Sequence, residues 1–128
     1  MHQFEVVVIS TDDIRRDVFG VQFDPELEPA VWKLAYERLE AALQAEKVVC
    51  FDATNTTIER RKPLIERAKK YNAAVEAVVF LQDPAVLLKR NAERPPGKKV
   101  PEEVIWEKVQ DMEIPSFQEG FDRILIYR

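Results

Sequence analysis

The stretch that decides the fold reads FEVVVISTDD, residues 4–13. Its first part, Phe4–Ile9, is an almost unbroken apolar and β-branched run, which predicts a strand with both faces buried. Similar runs predict further strands at Val48–Phe51, Val75–Leu81 and Ile124–Tyr127. Strands of this kind are typical of parallel sheets in α/β proteins.

Helical patterns separate these strands. Apolar residues at helical spacing predict a helix over Pro29–Lys47. Four more helices are predicted: Asp12–Phe19, one from the Thr56-x-x-Glu59 capping box to about Tyr71, one begun by Asp83-Pro84, and one begun by Pro101. The alternation predicts one α/β domain over residues 1–128, built on a parallel sheet of about four strands with crossover helices.

Composition excludes several classes of function. A net charge of −4 excludes steering of the whole molecule toward nucleic acid. One cysteine and one histidine exclude an intramolecular disulfide, and no metal site built from such residues is expected. No apolar run approaches the roughly 18 residues of a membrane span, so we expect a cytoplasmic protein without membrane partners. The three glycines are isolated, which excludes a glycine-rich phosphate loop within these residues.

Polar residues follow the first two predicted strands, where ligands bind in parallel sheets. After the first, Asp12 is either a base with Arg15 one turn away to hold an anion, or a helix cap beside a solvated arginine. After the second, Asp52 and Asn55 either face phosphate and Mg²⁺ or form a turn that leads into the capping box. Gln82 and Asp83 occupy the equivalent place after the third strand.

Two basic stretches have alternative interpretations of the same kind. Arg90 and Arg94 belong to the densest one, which is either a mobile arm that closes on phosphates or a solvated helix end. The other, Arg60-Arg61-Lys62, is expected to be a solvated first helical turn.

Taken together, these segments resemble P-loop kinases of the polynucleotide-kinase-like family, with its AAA-type ATP-binding domain. The resemblance runs in order from about residue 6 to the end. It rests on VISTDDIR (8–15), VCFDATN (49–55), RR (60–61), LKRNAER (88–94), KVPEEV (99–104) and EGFD (119–122).

The resemblance implies an ATP-dependent phosphotransferase that moves the γ-phosphate to a hydroxyl of nucleic acid or of a small metabolite. Asp12 would accept the proton of that hydroxyl, and Arg15 would hold a phosphate of the acceptor. The physical needs of phosphoryl transfer agree with this arrangement, since the reaction requires an in-line acceptor, a base and surrounding cations.

The resemblance also implies ATP and Mg²⁺ as cofactors. Asp52 and Asn55 would lie beside the phosphate and Mg²⁺ pocket. Arg90 and Arg94 would belong to the lid, where Arg94 contacts the nucleotide phosphates and takes part in catalysis.

One departure from the family is plain. Its members carry a strand, a G-x-x-x-x-G-K-[ST] loop and a helix before the segment that opens this chain, and the 128 residues hold no such loop. We therefore expect an N-terminally truncated P-loop kinase fold that binds ATP weakly. The family strand order 2-3-1-4-5 would then have a gap and a bare apolar face. A homo-oligomer follows, most simply a two-fold or strand-swapped dimer.

Two other functions remain open. The chain is alternatively a non-enzymatic remnant that acts as a binding or assembly module. Asp52-x-Thr54-x-Thr56 also resembles the nucleophile motif of haloacid-dehalogenase-type phosphotransferases, although no downstream Gly-Asp-x-x-x-Asp motif accompanies it.

Overall fold

The computed structural model describes residues 5–81 and 83–127. In chain order the elements are β1 (Val6–Ser10), α1 (Thr11–Asp17), α2 (Glu28–Gln44), β2 (Val48–Asp52), α3 (Ile58–Lys70), β3 (Glu76–Phe80), α4 (Pro84–Ala92), α5 (Glu102–Asp111) and β4 (Arg123–Tyr127). Single 3₁₀ turns lie at Pro96–Lys98 and Phe117–Glu119. The predicted strands and helices are present, while Phe4 and Gln82 lie outside the described residues.

The strands pair two by two rather than in one sheet. β1 pairs in parallel with β2, and β3 pairs in parallel with β4. Among the described residues, the predicted sheet of about four strands is therefore replaced by two parallel pairs.

The chain forms two compact units. The first comprises the residues up to Asn55 together with Glu66–Ala73, and the second comprises Thr56–Ile65 and the residues from Ala74 onward. Helix α3 therefore contributes to both units. That the two units make up one domain, as the sequence predicts, stays a prediction.

In the first unit, α2 covers one face of the β1–β2 pair. Its inward stripe is Val31, Ala35, Leu39 and Ala42, all buried and spaced three or four residues apart, as one face of a helix requires. The opposite face of the pair is open, and Val8 on it is 62% exposed. A strand sequence suited to two buried faces thus has only one face covered within this unit.

The second unit has its own apolar core. Ile65, Ala77, Val79 and Phe121 are buried there, with partly buried neighbours from β4 and from the end of α5. The other face of the β3–β4 pair is open. On it the rings of Phe80 and Tyr127 stack with centroids 5.5 Å apart, and Phe80 is 71% exposed.

The turn before β4 explains part of the EGFD segment. Ser116 and Glu119 form a capping box around the 3₁₀ turn, and Gly120 follows at φ 114°, a conformation that favours glycine. Asp122 then exchanges two hydrogen bonds with Val75, since its carboxylate accepts from the Val75 amide at 2.7 Å and its amide donates back at 2.8 Å. These contacts hold the start of β4 beside the start of β3.

Two helix starts test the capping predictions. The carboxylate of Asp83 accepts from the Ala85 amide at 2.8 Å, which confirms the predicted cap of α4. At α3 the prediction is displaced by one residue, because the Thr57 hydroxyl accepts from the Arg60 amide at 3.2 Å. The carbonyl of Thr56 instead accepts from the Glu113 amide at 2.7 Å, a contact that the local sequence could not reveal.

Within the described residues, no helix is both long and apolar enough to cross a membrane.

Candidate functional site

The junction between β1 and α1 presents an exposed carboxylate. Ser10 caps α1, because its hydroxyl accepts from the Asp13 amide at 3.2 Å. Asp12 is therefore not the cap, which was the alternative interpretation of this residue. Ser10 and Thr11 are buried, whereas the side chain of Asp12 is 87% exposed. The backbone here is fixed and the carboxylate reaches solvent.

Arg15 forms an ion pair with the carboxylate of Asp12. Its Nη1 donates to Asp12 Oδ1 at 2.7 Å and, more weakly, to the Thr11 hydroxyl at 3.4 Å. Its Nε and Nη2 donate to the two oxygens of Glu28 at 2.8 and 2.6 Å. The hydrogen bonds to Glu28 raise the pKa of Arg15 against the opposing effect of burial, and the charges of Glu28 and Asp12 add to the rise.

Glu28 is the site residue that sequence reasoning missed. It opens α2, thirteen residues after Arg15, and no local pattern links the two. The only signal available was an acidic residue at a helix start, where the dipole favours a negative charge. The sequence placed Arg15 either in solvent or on a bound anion, whereas in the structure it is buried and its partner is a side chain of this chain.

Asp52 and Asn55 lie at the same edge of the β1–β2 pair as Asp12. In the register of the pair, Asp52 stands opposite Ser10, two residues before Asp12. The loop then turns sharply, since the Asn55 amide donates to the Ala53 carbonyl at 2.8 Å. The prediction that polar residues after the first two strands share one edge is thus realised for these residues.

The fit of this edge to Mg²⁺ can be judged from its donors. The described residues hold no cluster of three or more acidic, histidine or cysteine side chains that could bind a metal by themselves. Mg²⁺ that arrives with a nucleotide needs only one or two carboxylates besides the phosphates and water. The exposed carboxylate of Asp52 fits that more limited role.

The predicted lid residues belong to the second unit. Arg90 lies on the last turn of α4 and Arg94 just beyond it, and both are exposed. Between them, Asn91 is buried and exchanges two hydrogen bonds with Val100, through its Nδ2 at 2.7 Å and its Oδ1 at 3.0 Å. The basic loop of residues 92–100 is therefore closed on α4 by one amide, a role that the sequence did not assign to Asn91.

Arg61 corrects the expectation of a solvated helical turn. It is only 4% exposed, and its Nε and Nη2 donate to Glu119 at 2.8 and 3.1 Å. Burial raises the pKa of Glu119, but hydrogen bonds from Arg61 and from the Ser116 amide outweigh it, so that this pKa lies below its usual range. The partner is 58 residues away in the chain, which is why the local charge pattern misled.

A family model described as an AAA domain matches residues 1–114, a range that includes every residue proposed here for a site. This family consists of P-loop NTPase-like kinases, which generally bind a nucleotide with Mg²⁺. The match confirms the broader of the sequence-based predictions, a nucleotide-binding domain of the P-loop kinase type. Since the matched range covers most of the chain, this protein belongs to the AAA-domain family of P-loop NTPase-like kinases.

Proposed function

We propose that this chain is an ATP-dependent phosphotransferase of the polynucleotide-kinase-like kind, which transfers the γ-phosphate to a hydroxyl acceptor. The observation that carries the proposal is Asp12. Its carboxylate lies in the first turn of α1, two residues after the end of the parallel strand β1, is exposed to solvent and is held by one guanidinium. A base that removes a proton from a hydroxyl must be reachable and oriented in this way. Asp12 is the proposed base.

The nucleotide side of the reaction is assigned to Asp52, Asn55, Arg90 and Arg94. Asp52 and Asn55 would face Mg²⁺ and phosphate, and the two exposed arginines would act as the lid, with Arg94 on the transferred group. When bound, Mg²⁺ would screen the charge on the phosphates. The 128 residues contain no G-x-x-x-x-G-K-[ST] sequence, so we expect them to bind ATP weakly.

Calorimetric titration of the chain with ATP·Mg²⁺ tests this function. We expect weak, measurable binding that weakens further in Arg94→Ala. Arg38→Ala is the matched control, because Arg38 is an exposed arginine of α2 outside the proposed site. Any turnover that the chain shows should fall at least about 10²-fold in Asp12→Asn. Near-normal turnover in that variant contradicts the assignment of the base.

A second candidate function is favoured by the absence of a G-x-x-x-x-G-K-[ST] sequence from these 128 residues. A chain of this family that cannot cradle phosphates would serve as a non-enzymatic binding or assembly module. Failure to bind ATP·Mg²⁺ at millimolar concentration, with the fold intact, supports this second candidate over the first.

We also propose that the open face of the β3–β4 pair binds a second copy of the chain. The face carries Val78 and Phe80 on β3, and Leu125 and Tyr127 opposite them on β4. Burying an aliphatic side chain stabilises a protein by roughly 1.5–3 kcal/mol, so this face favours association.

Charge supports a two-fold arrangement of the copies. Glu76 and Arg123 lie opposite each other at the start of the face, 3.8 Å apart. A two-fold axis parallel to the strands places β3 of one copy against β4 of the other, which brings Glu76 to the partner's Arg123 and Phe80 to the partner's Tyr127. Opposite charges and apolar side chains would then face each other throughout.

Light scattering at low micromolar concentration tests the dimer. We expect the wild-type chain to be dimeric and Phe80→Glu to be monomeric. Phe23→Glu is the control, because Phe23 is a similarly exposed aromatic residue of the first unit, at 65%. A folded wild-type monomer contradicts the proposal.

A further inference from the structure

The guanidinium of Arg15 has no edge to offer to a phosphate. An arginine binds a phosphate or carboxylate best through two parallel N–H groups on one edge. In Arg15 the edge formed by Nε and Nη2 is occupied by both oxygens of Glu28, at 2.8 and 2.6 Å. Its Nη1 serves Asp12 and Thr11. Four of the five N–H donors of a guanidinium are thus used within the chain.

Displacement of Glu28 by a ligand would be costly. The side chains of Arg15 and Glu28 are only 10% and 19% exposed, so their interaction is poorly screened by water. A phosphate that took the same edge would leave the Glu28 carboxylate without its bidentate partner, next to a new negative charge. Like charges brought together in this way disfavour binding strongly.

The surrounding surface is also acidic. Together α1 and the first residue of α2 carry four carboxylates against two guanidinium groups, on Asp12, Asp13, Asp17 and Glu28 against Arg15 and Arg16. Arg16 is itself paired with Asp17 at 2.8 Å and with Asp13 at 3.0 Å. These residues together carry a net negative charge beside Asp12, which disfavours an anionic acceptor.

An apolar ring lies beside this acidic surface. The Arg15 guanidinium stands 5.9 Å from the centre of the Phe23 ring, and Phe23 is largely exposed. Aromatic side chains of this kind offer an apolar face to a ligand. An uncharged hydroxyl compound would gain this contact without meeting the repulsion that a phosphate meets.

We infer that the acceptor at Asp12 is an uncharged hydroxyl compound rather than a phosphate-bearing one, and that Glu28 sets this specificity by occupying the anion-binding edge of Arg15. The inference rests on the proposed function, since it names the acceptor class of the same site. Arg15 then acts as a positioning residue that orients Asp12. This role replaces the acceptor-phosphate contact that the resemblance implied for it.

Inorganic phosphate is the probe for the test, and no nucleotide is needed. The Nε–Hε resonance of Arg15 is followed by NMR in the ¹⁵N-labelled chain, and its assignment comes from its loss in Arg15→Lys. We expect millimolar phosphate to leave this resonance unmoved in the wild type. In Glu28→Gln, which keeps the shape and removes the charge, phosphate should shift it and bind at least about tenfold more tightly. Glu26→Gln, a neighbouring carboxylate outside the pair, should behave as the wild type.

Each result decides the matter. A phosphate-dependent shift of Arg15 in the wild type overturns the inference, and that measurement stands even where Glu28→Gln does not fold. A folded Glu28→Gln that binds phosphate no better than the wild type overturns the role of Glu28. Failure of the proposed function appears separately, as absence of ATP·Mg²⁺ binding in the calorimetric titration.

Discussion

Arg15 in the first unit and Arg61 in the second are both buried, and each donates two hydrogen bonds to the oxygens of one glutamate. They differ in what lies beyond that pair. Glu119 is 6% exposed and also accepts from the Ser116 amide, so that pair is enclosed in the structure. Arg15 instead extends its remaining nitrogen to Asp12, whose carboxylate stands in solvent. The same ion-pair chemistry thus encloses a charged pair in one unit and holds an exposed carboxylate in the other.

The largest effect on the free energy of unfolding is expected when the enclosed Arg61–Glu119 pair is broken. Glu119→Gln leaves the charge of Arg61 buried without its carboxylate, and removal of one partner from such a pair costs about 3–5 kcal/mol of unfolding free energy. Urea denaturation followed by circular dichroism measures the loss. The double variant Arg61→Met/Glu119→Met should recover much of it, because neither charge then remains. A loss below about 1 kcal/mol in the single variant would show that the pair is not enclosed.

A smaller loss of unfolding free energy is expected from the equivalent glutamate-to-glutamine change in the first unit. Glu28→Gln removes charged hydrogen bonds to Arg15, which are worth about 1.5–3 kcal/mol, while Asp12 remains as a counter-charge. The same urea denaturation gives the value, with Glu26→Gln as the control. A loss as large as that of Glu119→Gln would mean that the two pairs are equally enclosed, and the contrast drawn above would fail.

Acid should weaken the enclosed Arg61–Glu119 pair. The pKa of Glu119 is lower in the folded chain than its ordinary value, because hydrogen bonds from Arg61 and from Ser116 outweigh the effect of burial. Its contribution to stability is therefore complete above the ordinary glutamate pKa of about 4.3 and is lost as the pH falls through the folded pKa. Unfolding free energies at a series of pH values from 7 to 3 measure this part. Glu119→Gln should lack it, and an unchanged pH dependence in that variant would contradict the assignment.

The contrast between these pairs also shows which site residues could be predicted from the sequence. Short-range patterns located Asp12 after a strand, Asp52 after the next, and the Asp83 cap of α4, because each depends on neighbours within a few residues. Glu28 and Glu119 escaped notice, since their partners are 13 and 58 residues away and only the fold brings them together.

Strand pairing also could not be predicted from local sequence patterns. Hydrophobic runs predicted four strands, and four are found among the described residues, yet no run states which strand lies beside which. The pairing of β1 with β2 and of β3 with β4 is known only from the structure. A single sheet of four strands is not shown among the described residues, although the strands themselves were placed correctly.

The smallest effect on stability should come from Asp12 itself, and this tests whether the residue is held for chemistry. Its side chain is 87% exposed, and pairs with an exposed partner contribute about 0–1 kcal/mol. In Asp12→Asn the amide oxygen can still accept from Arg15, whose bidentate contact with Glu28 is untouched. We therefore expect urea denaturation to give an unfolding free energy within about 0.5 kcal/mol of the wild type. Asp13→Asn, an exposed carboxylate on the same turn, is the matched control for loss of charge. A loss of unfolding free energy above about 1.5 kcal/mol would make Asp12 a structural partner of Arg15. The Arg15–Asp12 pair would then resemble the enclosed Arg61–Glu119 pair.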